Sequence, residues 1–203
     1  LQVLDYAILV VSGADGVQGH TQTLWRLLKR YEIPVFLFIN KMDQPGTEKG
    51  ALLSELREKL SEGCIDFSQE ESESFYDEVA MCGEEAMEQF LEQGCVEVDE
   101  IRSLIQKRYV FPCFFGSALK EQGIDAFLEG IVKYTVVPSY PAEFGARVFK
   151  IARDEQGNRL TYLKVTGGSL KVKTALTEQQ EKVNQIRIYS GEKYTTENEV
   201  QAG

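Results

Sequence analysis

The 203-residue sequence predicts an α/β domain built on a parallel sheet with a helical insertion, followed by the opening strands of an all-β barrel. Short continuous apolar runs alternate with helical patterns over the first two thirds of the chain. A long acidic stretch with its own helical periodicity interrupts that alternation. After Pro138 and Pro141 only short β-type runs remain, with no helix between them.

Tyr6–Val11 (YAILVV) is unbroken by polar residues, the pattern of a strand covered on both faces. Thr21–Tyr31 follows as a helix, with Leu24, Leu27 and Leu28 at helical spacing. Pro34–Ile39 (PVFLFI) is a second buried strand, and Glu48–Leu60 a helix with Leu52, Leu53, Leu56 and Leu60 on one face. Phe111–Phe115 is a third strand, and Ile124–Tyr134 a helix carrying Ile124, Phe127, Leu128 and Ile131. Between the second helix and the third strand lies far more chain than the ~2–6 residues of an ordinary connection. Its apolar positions (Phe75 and Val79; Met87, Phe90 and Leu91; Ile101, Leu104 and Ile105) predict an inserted helical subdomain over about 62–108. Val148–Ala152, Leu160–Val165, Leu170–Lys173 and Val183–Tyr189 read as strands of the barrel, with hairpin turns at Asp154–Asn158 and Gly167-Gly168. The expected division is a first domain at 1–137, a linker at 138–146, and a barrel domain at 147–203 that is expected to be incomplete. The start, Leu-Gln-Val-Leu-Asp without Met, reads as an internal stretch of a longer protein.

The net charge of −10 is local. Residues 66–100 hold 13 Asp and Glu and no Lys or Arg, so the rest of the chain carries 22 basic against 19 acidic side chains. Outside its acidic insertion the protein is slightly basic, and contact with nucleic acid is not excluded by charge. The segment 147–203 has ten basic and seven acidic residues. Apolar residues at 43% and charged residues at 27% exclude disordered and low-complexity classes. No apolar run approaches the ~18 residues of a membrane helix. Cys64, Cys82, Cys95 and Cys113 are 18, 13 and 18 residues apart with no C-x-x-C, and the single histidine, His20, is remote. That spacing argues against a zinc site and for free thiols in a reducing, cytoplasmic setting.

Ligands of open parallel sheets bind beyond the carboxyl ends of the strands. The three loops there are Ser12-Gly13-Ala14-Asp15-Gly16, Asn40-Lys41-Met42-Asp43 and Gly116-Ser117-Ala118-Leu119. The second is an N-K-x-D pattern, which arises by chance about once in 8,000 windows. Its chemistry fits guanine. The Asp43 carboxylate can accept from both N1–H and the exocyclic amino group, a charge-assisted pair that adenine cannot supply. Lys41 offers an aliphatic stem to lie along the base, Asn40 a side chain to brace the loop, and Ala118 a backbone N–H for the base O6. The alternative for Asn40 and Asp43 is ordinary turn chemistry after a strand.

NKMD followed by GSAL, preceded by LDYAILVVSGADGVQGHTQTLWRLLKRYEIPVFLFI, resembles the translational GTPases of the elongation factor G superfamily. The resemblance extends through ARVFKIARDEQGNRLTYLKVTGGSL and so covers essentially the whole chain. The short acidic insertion is most similar to that of the tetracycline-resistance ribosomal protection proteins. The resemblance implies the C-terminal half of a P-loop GTPase domain followed by the start of a translation-factor barrel. It also implies GTP and GDP as ligands held by Asn40, Lys41, Asp43, Ser117, Ala118 and Leu119, with Mg²⁺ only in a full-length protein. The ribosome is the implied partner, the acidic insertion facing its stalk protein and the barrel its small-subunit RNA; no membrane is involved.

No G-x-x-x-x-G-K-[ST] loop occurs in these residues, so nothing in them is predicted to cradle phosphates. Asp154-Glu155-Gln156-Gly157 matches D-x-x-G in letters only and is expected to be a hairpin turn. His20, just before a helix, is expected to be a surface or capping residue. No catalytic residue and no metal ligand is assigned. The expectation is a GTP-hydrolysing parent of ribosomal protection type and an inactive isolated chain that can self-associate through Tyr6–Val11 as an open edge. An elongation factor G-type translocase and a non-catalytic ribosome-docking module are the alternatives.

Overall fold

The computed structural model describes residues 1, 3–70, 72–176 and 182–203, which fall into two compact units divided between Val136 and Val137. In the first unit, β1 (Ala7–Ser12), β2 (Val35–Asn40), β4 (Phe111–Phe115) and the short β3 (Cys64–Asp66) form one parallel sheet in the order β1-β2-β4-β3. The helices α1 (Gly19–Arg30) and α2 (Lys49–Lys59) cover one face. There Trp25, Leu28, Leu52 and Leu56 pack on Leu9, Val11, Leu37, Ile39 and Cys113. The other face carries α6 (Ile124–Tyr134) and the insertion helices α3 (Glu73–Ala80), α4 (Glu84–Gln93) and α5 (Val98–Gln106). Phe36, Phe38, Ile65 and Phe114 meet Phe75, Val79, Ile105 and Phe127 on that side.

Two features depart from the sequence reading. First, Cys64–Asp66, inside the stretch assigned to the insertion, is an edge strand of the main sheet, paired with β4. Three residues are too few to show a period. Second, β1 is not covered on both faces. Every side chain of Val35–Ile39 is buried, yet Ile8 and Val10 of the equally apolar β1 are 54% and 57% exposed. Leu9 and Val11 face α1 and α2, while the opposite side of this edge strand has no covering element among the described residues.

The insertion is a three-helix layer whose apolar residues, Phe75, Val79, Ile101 and Leu104 among them, join the core on that face of the sheet. Ser72 caps α3 by accepting from the Phe75 N–H, and Gly94 ends α4 in the left-handed conformation that a side chain would strain. Glu84 and Glu85 begin α4, and Asp99 and Glu100 begin α5, where carboxylates complement the helix dipole. Glu78, paired with Arg57 at 2.6 Å, and Glu70, paired with Lys133 at 2.7 Å, tie the segment to the body of the domain, while Asp66, on β3 itself, pairs with Lys49. Glu73, Asp77, Glu84, Glu85, Glu88, Glu92 and Glu97 lie on the exterior. Glu71 is outside the described residues.

The second unit is all β. β5 (Gly145–Arg153) pairs antiparallel with β6 (Arg159–Gly167), β8 (Ile186–Ser190) with β9 (Lys193–Glu197), and β7 (Ser169–Lys171) with β10 (Glu199–Gln201), around Val165, Leu170 and Ile186. The Asp154–Asn158 turn is a hairpin turn, as its composition predicts. Asp154 Oδ1 accepts from the Gln156 and Asn158 N–H groups, and Gly157 takes a positive φ. Among the described residues no helix is long and apolar enough to cross a membrane.

Candidate guanine-recognition site

The site is built where β2 and β4, neighbours in the middle of the sheet, end together: Ile39 lies opposite Phe115 in register. Their loops, residues 40–43 and 116–119, therefore leave the sheet side by side. Backbone bonds knit them, from Gly116 N–H to Ile39 O at 2.9 Å and from Met42 N–H to Gly116 O at 3.0 Å. Gly116 has to be glycine, because a Cβ there would stand 2.2 Å from Gln122 O. The loop from β1 packs in as well, with the Gly13 N–H donating to Asn40 O at 2.7 Å.

Asn40 braces the site through its side chain. Its Oδ1 accepts from the Lys41 N–H at 2.8 Å and from the Ala118 N–H at 2.9 Å, linking residues 78 positions apart. The bracing expected from the sequence is thus present. The Ala118 N–H, however, is engaged with Asn40, so its donation to a base O6 requires that this bond be shared or that Asn40 turn. Lys41 holds a φ of 66°, a left-handed conformation uncommon for a residue with a side chain. Its side chain projects from that turn at the surface.

Asp43 is the anionic centre. Ser117, only 1% exposed, lies beside the Asp43 carboxylate, and its hydroxyl is the chief reason that the carboxyl titrates below the ordinary aspartate range. Lys120 adds a contact from its ammonium to Asp43 Oδ2 at 3.3 Å, and the Asp43 side chain is 21% exposed. Leu119, beside them, is 93% exposed and projects as an apolar flap. An ionised carboxylate, an adjacent apolar side chain and an amide brace can take a flat ligand edge that offers two N–H groups.

No pattern in the sequence singles out Lys120. It follows the GSAL pattern, and only the return of the 117–122 loop, closed by paired Ser117–Gln122 backbone bonds at 3.0 Å, aims it at Asp43. Ser12 Oγ, at the end of β1, is a buried hydroxyl with no hydrogen-bond partner among the described residues. His20 is exposed in the first turn of α1; the capping position belongs to Gln18.

Residues 1–137 match the family model of the elongation factor Tu GTP-binding domain. The chain is 28% identical to tetracycline resistance protein TetO of Campylobacter jejuni, over 97% of this chain and 34% of that protein. It is 30% identical to tetracycline resistance protein TetM from transposon Tn916 of Enterococcus faecalis, over 94% of this chain and 33% of that protein. It thus spans about a third of the length of these relatives. Its fold is similar to the crystal structure of a protein from Thermus thermophilus, with a TM-score of 0.80 at 21% identity, covering all of this chain and 38% of that one. With its N-K-x-D loop braced against the loop after β4 and more than half its length matched, the chain belongs to the elongation factor Tu GTP-binding domain family.

Proposed function

We propose that this chain supplies the base-reading half of a ribosome-dependent GTP-binding translation factor of the ribosomal protection type, in which GTP hydrolysis is coupled to ribosome binding and release. The observation that carries the nucleotide part is the meeting of Asn40, Asp43, Ser117 and Ala118 at the ends of two adjacent parallel strands. Similarity to TetO and TetM supports the ribosomal protection type. GTP and GDP are the proposed ligands, with Lys41 and Leu119 flanking the base. Mg²⁺ is proposed only for the full-length protein, since these residues hold no phosphate-binding loop. The setting proposed is the cytoplasm, in keeping with four free cysteines. Expressing the full-length protein in a tetracycline-sensitive strain tests the type: raised tolerance is expected, and unchanged tolerance overturns the ribosomal protection reading.

The 203-residue chain by itself is expected to show no GTP hydrolysis and only weak GDP binding, because it holds base contacts without a phosphate-binding loop. Calorimetry giving a micromolar or tighter Kd overturns this. The uncovered β1 edge, with Ile8 and Val10 exposed and no charge in AILVVS, is expected to drive self-association of the chain. Sedimentation at rising concentration checks it, and a monomer throughout counts against it.

Two surfaces are proposed for the ribosome. The exterior acids of α3 and α4, around an open recess lined by Met81, Cys82 and Met87, suit a basic helix of a stalk protein. Replacing Glu84, Glu85, Glu88 and Glu92 together by Gln is expected to weaken stalk-dependent GTPase stimulation of the full-length protein several-fold. Unchanged stimulation would leave these acids as a solvated surface. In the second unit, Tyr162, Tyr189 and Tyr194 follow one another at 5.6 and 5.3 Å, with Lys150 over the first ring at 5.2 Å and Arg187 over the last at 4.7 Å. Rings interleaved with cations suit unpaired RNA bases and their phosphates.

A further inference from the structure

We propose that Lys120 is a positioning residue for base recognition, holding the Asp43 carboxylate in the orientation in which both oxygens meet one base edge. The proposal rests on the guanine reading of the site. A guanine edge needs the two carboxylate oxygens in its own plane, and a carboxylate tied at a single contact still turns about its terminal torsion. The buried Ser117 hydroxyl lies beside the carboxylate, and Lys120, at 3.3 Å from Oδ2, supplies a direct charged contact to one oxygen. Both come from the same short loop, which is closed on itself by the paired Ser117–Gln122 bonds and by the tight backbone approach at Gly116. That loop also carries Ala118, which is bonded to Asn40. The lysine therefore ties the acceptor of the base edge to the element that carries the rest of the site.

Simultaneous occupancy is chemically possible. A carboxylate has about four lone-pair sites, and an ammonium acts as a point charge without demanding a fixed geometry. Ser117, Lys120 and two base N–H groups together fill that capacity. The Lys120 side chain is 54% exposed, so its contribution is that of a surface ion pair, a factor of about five at most.

The test uses nucleosides, which need no phosphate site. Guanosine, inosine and adenosine are titrated into the 203-residue chain and its Lys120→Met and Lys120→Arg variants by ligand-observed NMR. Inosine lacks the 2-amino group and engages one oxygen where guanosine engages two. The unsubstituted chain is expected to prefer guanosine over both others. Lys120→Met is expected to weaken guanosine about three- to fivefold, with a smaller effect on inosine, and Lys120→Arg to restore guanosine binding. The thermal transition of Lys120→Met is expected to match that of the unsubstituted chain. Undiminished guanosine binding in Lys120→Met overturns the role of Lys120 and leaves the base reading intact. Equal losses for guanosine and inosine, or an arginine variant as weak as the methionine one, overturn it too. An unsubstituted chain that does not separate guanosine from adenosine overturns the base reading itself, and the inference with it.

Discussion

Replacing Asp43 by Asn is expected to lower guanosine affinity by about a hundredfold and to transfer preference to xanthosine. The amide keeps one acceptor for N1–H but turns an N–H toward the guanine 2-amino group, leaving two donors face to face. Xanthine carries a carbonyl at that position, so the same amide pairs with it twice. Competition between the two nucleosides on the Asp43→Asn chain measures the change, and an unaltered order of preference would remove Asp43 from base recognition. The pH dependence carries the matching signature. Ser117 lowers the Asp43 pKa, so the ionised acceptor persists as pH falls through the ordinary aspartate range. Guanosine binding is therefore expected to be flat from neutral pH down past that range, failing only below the lowered value.

Gly63→Ala is expected to destabilise the first unit by about 3 kcal/mol, near the upper end for single substitutions. A Cβ on Gly63 would stand 1.9 Å from the Tyr109 carbonyl oxygen. The obstacle is backbone on both sides, so no rotamer change relieves it. The Phe111 N–H donates to Gly63 O at 2.8 Å where β3 enters the sheet beside β4, and widening that gap breaks the bond. Trp25, the single tryptophan, packs edge-on against Phe111 at 4.7 Å and donates its indole N–H to Leu60 O at 3.0 Å. Its fluorescence therefore follows this region. A fall in Tm of about 6–12 °C is expected. Gly19→Ala, with nothing near its Cβ and a helical position, serves as the control and is expected to be neutral or slightly stabilising. A Gly63→Ala melt superimposable on the parent would show that the strand entrance opens freely.

The parts of the fold legible in the linear chain are those whose signal is local. Val35–Ile39 and Phe111–Phe115 are runs of apolar residues after turn residues, and both are central strands. Leu52 and Leu56, four apart on α2, are both buried, as helical spacing requires. Cys64–Asp66 is not legible because a three-residue strand has no period to detect, and its place depends on β4, nearly fifty residues away. At the site, the Asn40-Lys41-Met42-Asp43 and Gly116-Ser117-Ala118-Leu119 loops are legible as strand-end loops because each directly follows an apolar strand run.

By itself the sequence determined the strand–helix alternation, the position of the acidic insertion, the change to β structure after Pro138, and the N-K-x-D and GSAL loops at two strand ends. Each of these is set by neighbours within one turn or one strand. Only the tertiary structure decided that the equally apolar runs at β1 and β2 differ in cover, that the Ala118 N–H is held by Asn40, and that Lys120 stands over Asp43. Those outcomes depend on which distant segments the parallel sheet brings side by side, and in a parallel sheet every such neighbour is separated by a whole crossover of chain.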